Sequence, residues 1–234
     1  MSYFSFKQFT IYQDKCAFKV GTDGVLLGAC ADVSNTKAIL DIGTGTGLIA
    51  LMIAQRCDAK IVAIEPDFDS FEQANQNIKS SKWADRIQVK NIDLQNYNCS
   101  DLKFDLIVSN PPYFVDSLKN PDRRKAVSRH NDTLTNQDLL VCASGLLSDT
   151  GKLQVIMPYA EGNIFIAEAA AYGLYCNNIL KIRPLPTSEI RRLIITFSNQ
   201  RTKTSESFLT IEHGKRHEFT EEYKKLTRDF YLKF

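Results

Sequence analysis

The chain has 234 residues, 44% of them apolar and 24% charged, with a formal net charge of +2. That balance excludes a fibrous or low-complexity chain and gives no argument for a nucleic-acid partner from the total alone, so local clusters of basic residues must decide. Six cysteines at 16, 30, 57, 99, 142 and 176 are scattered without a Cys-x-x-Cys pair, and His213 and His217 have no cysteine partners nearby. No metal site is expected, and free thiols fit a reducing compartment. The first residues lack the apolar stretch of a signal peptide, and no apolar run approaches a bilayer's thickness. The expectation is a cytoplasmic protein with no membrane partner, built as a single domain over 1–234.

Phe4, Phe6, Phe9 and Ile11 nearly alternate, and Cys16 to Val20 follows Gln-Asp-Lys, which predicts an opening hairpin. Thr22-Asp23-Gly24 offers a helix cap before the apolar run Val25 to Ala31, completing an N-terminal section over 1–35. From 36 to 199 the pattern alternates. Strands are expected at Ala38 to Ile42, Ile61 to Glu65, Ile87 to Ile92, Phe104 to Ser109 and Lys152 to Met157. Helices are expected at Leu48 to Cys57, around Phe71, Ala74 and Ile78, at Leu139 to Leu147 and at Ile164 to Ala171. Strands apolar on both faces alternating with helices mean a parallel sheet covered on both sides. Leu174 to Arg183 and Ile190 to Phe197 are joined by too short a link for a crossover helix, so they pair antiparallel. Residues 200–234 form an extension with a strand-like Ser-Phe-Leu-Thr-Ile-Glu and a last helix from Thr220, whose Tyr223, Leu226 and Phe230 share a face.

Asp41-Ile42-Gly43-Thr44-Gly45-Thr46-Gly47 closes the first core strand and opens a helix. A dinucleotide-binding loop would place its third small residue at 48, where this chain has Leu48. An acid just before the loop discourages a pyrophosphate and suits a ligand with a cationic ammonium, as in S-adenosylmethionine. Glu65 ends the next strand 24 residues later, near the spacing of an acid that binds ribose hydroxyls, and Asp93 after the third strand could accept from an adenine amine. A glycine-rich turn alone is more often only a tight turn. Three such features on three successive strand ends make coincidence improbable.

Asp41-x-Gly43-x-Gly45-x-Gly47, Glu65, Asp93 and Asn110-Pro111-Pro112-Tyr113 together resemble the ordered motifs of Rossmann-like S-adenosylmethionine-dependent methyltransferases, over about residues 20 to 200. The resemblance implies an α/β fold with a seven-stranded, mostly parallel sheet, a reversed terminal strand and helices on both faces. It implies that Gly43, Gly45 and Gly47 hold the methionine part of the methyl donor, Glu65 its ribose, and Asp93 and Pro66 its adenine, with Asn110 at the edge of the same pocket. No metal is implied; the product is S-adenosylhomocysteine.

The tetrapeptide restricts the acceptor atom. A planar conjugated amine has a delocalised lone pair, and acceptors aimed at its hydrogens would turn that pair toward the methyl group. The Asn110 side-chain oxygen and the Pro111 carbonyl are candidates, the latter held by Pro112. Tyr113 offers a face on which a base can stack, worth ~1–3 kcal/mol. The bland alternative is a strand terminator followed by a core aromatic.

Such tetrapeptides occur in enzymes that methylate adenine, guanine or the glutamine amide of release factors. Thr22-Asp23-Gly24-Val25-Leu26-Leu27-Gly28 is similar to a segment of the bacterial enzymes that methylate N6 of adenine 37 in valine tRNA, which adds Thr22 and Asp23 to the donor site. The compact length and the ending around Phe219 to Tyr223 resemble them too. The release-factor enzymes carry an N-terminal helical bundle for which the residues before the first core strand leave no room. Lys119, Arg123, Arg124, Lys125 and Arg129 follow the tetrapeptide with only Asp122 among them, so tRNA phosphates are the expected contact there. Lys181, Arg183, Arg191 and Arg192 form a weaker second patch. The rivals are a protein-glutamine methyltransferase and a module that binds S-adenosylmethionine or RNA without catalysis.

Overall fold

The computed structural model describes residues 2–97, 102–112 and 134–233. The chain opens with an antiparallel hairpin of β1 (Tyr3–Ser5) and β2 (Thr10–Tyr12), with Phe4 opposite Ile11. This corrects the expected pairing, because Cys16 to Val20 forms no strand. Amides at its two ends go to side chains instead: Lys15 N–H, just before it, donates to Gln73 Oε1 at 3.3 Å and Val20 N–H to Gln13 Oε1 at 2.7 Å. The Phe6 and Phe9 rings stack at 4.7 Å in the hairpin turn and are buried.

Helix α1 (Thr22–Cys30) already includes the expected cap residues Thr22-Asp23-Gly24. Gly21 is its N-cap, and no side chain caps it. Asp23 is engaged elsewhere, by Arg192 at 2.7 Å. Gly24 and Gly28 stand one turn apart on the side facing α2 (Leu48–Ala54). A Cβ on Gly28 would lie 2.9 Å from Met52 Cβ, and one on Gly24 would lie 3.0 Å from Leu48 Cδ2. Two bare positions let the helices press together, which gives the Thr22 to Gly28 segment a packing role.

Strands β3 (Ala38–Ile42), β4 (Lys60–Ile64), β5 (Ile87–Lys90), β6 (Phe104–Ser109), β7 (Leu147–Pro158), β8 (Tyr175–Arg183), β9 (Arg192–Ser198) and β10 (Ser205–Thr210) form one sheet. Their order is β10-β8-β9-β7-β6-β3-β4-β5. Every neighbouring pair is parallel except those made by β9, which runs against both β7 and β8. The mostly parallel sheet with one reversed strand is therefore present, with eight strands where the resemblance implies seven. The extra one is β10, from the strand-like segment after residue 200. The reversed strand lies inside the sheet because β9 is the apolar partner of the terminal hairpin: Leu193, Ile194, Ile195 and Phe197 are buried, whereas β8 is mostly half-buried. β7 also begins earlier than its apolar run, at a register shift against β6 that takes up the polar residues 148–151.

Helix α3 (Phe68–Lys79) begins at Asp67, whose carboxylate accepts from Ser70 N–H at 2.8 Å. Helix α4 (Asn136–Leu146) carries a reciprocal cap between Thr135 and Asp138. Helix α5 (Tyr159–Ala169) follows β7. The alternation along each strand divides the core in two: Ile39, Ile61 and Val108 face one layer with α1, α2 and the hairpin, while Leu40, Ile64 and Ile107 face the other with α4 and α5. The last helix, α6 (Glu221–Thr227), is capped by Thr220 Oγ1 and sends Tyr223 into the first layer; Phe230, expected on the same helix face, follows in the turn after the helix and is buried in that layer too. Lys7 N–H donates to Phe230 carbonyl at 2.8 Å, so the two ends of the chain are joined there. Among the described residues no helix is long and apolar enough to cross a membrane.

Candidate active site

From β3 the sheet grows through β4 to β5, and the chain then returns to place β6 on the other side of β3. That reversal leaves a crevice beyond the carboxyl ends of β3 and β6, the place where open α/β sheets bind ligands. In sheet order the strand ends there carry Asn110, the glycine loop, Glu65 and Asp93. Ser109 Oγ donates to Ile42 carbonyl at 3.0 Å, locking together the ends that bear Asn110 and Gly43.

Gly43, Gly45 and Gly47 have φ of 70°, 56° and 81°, a region that side chains with a Cβ rarely enter. A Cβ on Gly43 or Gly45 would meet nothing within 4 Å, so both border open space. One on Gly47 would stand 3.3 Å from Ile78 Cδ1 and 3.6 Å from Ala74 in α3. The loop is held from β4 as well: Gly43 and Thr44 N–H both donate to Ile64 carbonyl, at 3.0 and 3.1 Å.

Asp41 is completely buried. Its Oδ2 accepts from Thr44 Oγ1 at 2.6 Å and from Ala50 N–H at 3.2 Å, fastening the loop to the start of α2, while its Oδ1 is buried with no hydrogen-bond partner among the described residues. Burial, reinforced by the charge of Glu65 and opposed by those two bonds, raises its carboxyl to about 7. Glu65 is nearly buried; Oε2 accepts from Gly45 N–H at 2.8 Å and Oε1 from Asp67 N–H at 3.1 Å. Burial also lifts the Glu65 carboxyl above its ordinary range.

Asn91 does not stand out in the sequence, yet its Nδ2 donates to the carbonyls of both Glu65 and Pro66, each at 2.9 Å. It fixes the backbone on which Glu65 turns. The only hint is its place at the end of a strand, two residues before Asp93. Asp93 is half-buried and accepts from Asn96, N–H at 2.7 Å and Nδ2 at 2.8 Å, so it closes its own turn.

Pro111 is buried and Pro112 exposed, and together they border a cleft shared with Asn136, Glu161, Ile164 and Tyr172. Asn110, which precedes them, is half-buried. Thr22 is exposed at the start of α1, and Asp23 is held by Arg192. In the second basic patch Lys181 pairs with Glu206 at 2.5 Å and Arg183 Nε donates to Thr210 Oγ1 at 2.9 Å, leaving Arg191 the exposed member. Tyr113, Lys119, Arg123, Arg124, Lys125 and Arg129 lie outside the described residues.

The donor set can be tested against S-adenosylmethionine from these contacts. Two glycines border space that a side chain would fill, a buried carboxylate oxygen lacks a partner among the described residues, and a second carboxylate stands beside the loop with each oxygen accepting from a backbone N–H. Open backbone, acid and acid suit a ligand that brings a cation and a diol, so the residues fit.

Residues 17–161 match the family model of the methyltransferase small domain. The tRNA1(Val) (adenine(37)-N6)-methyltransferase of Phocaeicola vulgatus is 49% identical over 230 residues, covering 98% of this chain and 97% of that one. The protein of the same name from Trichodesmium erythraeum is 47% identical, covering 99% and 98%. The chain belongs to this family of tRNA (adenine-N6)-methyltransferases. Similarity from end to end includes the hairpin and the C-terminal extension, which fall outside the matched small domain. Among solved structures, a predicted O-methyltransferase of Agrobacterium tumefaciens superposes with TM-score 0.68 at 21% identity, covering 89% of this chain and 96% of that one. P. horikoshii TYW2 in complex with MeSAdo superposes with TM-score 0.56 at 19% identity, covering 81% and 66%. At such identities these two establish the Rossmann-like fold alone.

Proposed function

We infer that the protein transfers a methyl group from S-adenosylmethionine to N6 of adenine 37 in tRNA1(Val). What carries this reading is the end-to-end match, at nearly half identity, to relatives of that name in a chain whose Asn110-Pro111-Pro112 turn stands beside the glycine cradle.

The bound donor supplies a methyl carbon made electrophilic by a sulfonium; N6 forms the new bond as the sulfur–carbon bond breaks, and N6 then loses a proton. The chain's own contribution is alignment and electrostatics. Gly43 and Gly45 admit the donor to the backbone, Gly47 keeps the loop closed against α3, and the buried Asp41, whose Oδ1 has no hydrogen-bond partner among the described residues, supplies negative charge behind the loop toward the cationic end of the donor. Glu65 accepts from the ribose hydroxyls, while Pro66 and Asp93 bound the adenine. Thr22 and Asp23 border the same pocket from α1. Asn110 Oδ1 and the Pro111 carbonyl accept the amine hydrogens of the target base, turning its lone pair toward the methyl carbon, and Tyr113 stacks on the base. A strong general base is unnecessary, because the methylated amine sheds its proton readily. Lys119, Arg123, Arg124, Lys125 and Arg129 take the phosphates of the tRNA.

Supplying labelled S-adenosylmethionine with purified tRNA or purified release factor tests the reading. Label in tRNA alone is expected. Label in the protein acceptor, or donor binding with no transfer to any RNA, would overturn it.

A further inference from the structure

The face that α3 turns inward is unusual in composition. Ser70, Gln73 and Asn77 are buried there with Ala74 and Ile78, whereas the larger Phe71 is only half-buried. Asn is a mediocre helix former, and a buried amide is costly unless every group is paired. Here each finds a partner, and most partners belong to the segment that leads from the hairpin toward α1.

Asn77 is 1% exposed and uses its whole amide. Oδ1 accepts from Tyr12 N–H at 2.9 Å, and Nδ2 donates to Tyr12 carbonyl and to Thr46 carbonyl, each at 2.9 Å. Two carbonyls on one atom and an N–H on the other leave a single sensible amide orientation. One turn earlier, Gln73 Oε1 accepts from Lys15 N–H at 3.3 Å. Burial pushes the Cys16 thiol up, reinforced by the charge of Glu65 and opposed by nearby Ser70. Thr46 lies between the last two glycines of the loop, so holding its carbonyl orients the peptide that leads into Gly47. Ala74 and Ile78 of the same helix pack against Gly47 itself. The matched small domain begins at residue 17, so the residues being tied down lie almost wholly before it.

We propose that Gln73 and Asn77 form a positioning device that straps residues 12–15 onto the site and, through Asn77, fixes the glycine loop in the shape that receives the methyl donor. The strap is a part of the donor site made by the N-terminal hairpin. Asn77 is its keystone because its side chain grips the strap and the loop together. This rests on the methyltransferase reading above.

The test measures S-adenosylmethionine affinity directly by calorimetry, alongside thermal unfolding without ligand and steady-state kinetics on tRNA. Asn77→Ala should raise Kd and KM for the donor about tenfold, the scale of one buried hydrogen bond, while kcat at saturation stays within about twofold. Gln73→Leu frees the strap at Lys15 and leaves the loop anchored, so it should raise Kd by a smaller factor, about threefold. If Asn77→Ala does not fold, Gln73→Leu decides alone. A lower unfolding temperature with an unchanged Kd in the folded variants would make the stripe merely structural and overturn the proposal. Failure of the unaltered protein to bind the donor would count against the methyltransferase reading instead.

Discussion

Replacing Gly45 with Ala separates a loop that merely turns from a loop that receives a ligand. Gly45 sits at φ 56° with nothing within 4 Å of an added methyl, so the protein itself has room for the side chain. The cost to folding is then the left-handed backbone alone, about 1–2 kcal/mol, which for a chain of this size lowers the unfolding temperature by roughly 2–8 °C. Gly173 provides a matched control: its φ is 73°, a methyl there also meets nothing within 4 Å, and it lies in the turn between α5 and β8 away from the cradle. Both variants should lose similar stability. Only Gly45→Ala places its methyl in the space assigned to the donor, so its Kd for S-adenosylmethionine should rise at least about tenfold, or 1.4 kcal/mol, by titration calorimetry. Wild-type affinity in Gly45→Ala, or an equal loss in Gly173→Ala, would refute the assignment of the cradle.

Other outcomes follow from the same geometry. Asp41 rises from an ordinary value of 3.8 to about 7 on folding, so the native state holds its proton more tightly and this group's contribution to stability is lost as pH rises across that window. Asp41→Asn should remove that decline in denaturant unfolding between pH 4 and pH 7; an unchanged slope would show that Asp41 is not its source. Gly28→Ala drives a methyl to 2.9 Å from Met52 and should cost about 1–3 kcal/mol, with Met52→Ala in the same chain restoring part of it. The Asp23–Arg192 pair is partly exposed, so a double-mutant cycle should give a coupling of at most about 1 kcal/mol, smaller in high salt.

Much of the site is legible in the sequence because its signals are local. Asp41, the three glycines and Glu65 carry backbone and charge requirements within a strand end and a turn, and β3 and β6 have the boundaries their apolar runs imply. The parts that are not legible depend on partners far along the chain. The apolar pattern of α3 implies an inward face of Phe71, Ala74 and Ile78, but Asn77 and Gln73 are buried because backbone groups 65 and 58 residues away need them. Composition points to the wrong second strand for the hairpin, because Cys16 to Val20 is strand-like in its residues while the amides of Lys15 and Val20 at its ends are taken by glutamine side chains. β10 is visible as a strand-like segment, but its place beside β8 depends on a parallel register that composition does not encode.

The central claim is a methyl group placed on one nitrogen. Purified protein, S-adenosylmethionine and unmodified tRNA1(Val) should yield, after nuclease digestion and mass spectrometry, a single N6-methyladenosine at position 37, and Asn110→Ala should abolish it while still binding the donor. Methylation at another nucleotide, or undiminished turnover by Asn110→Ala, would contradict the account.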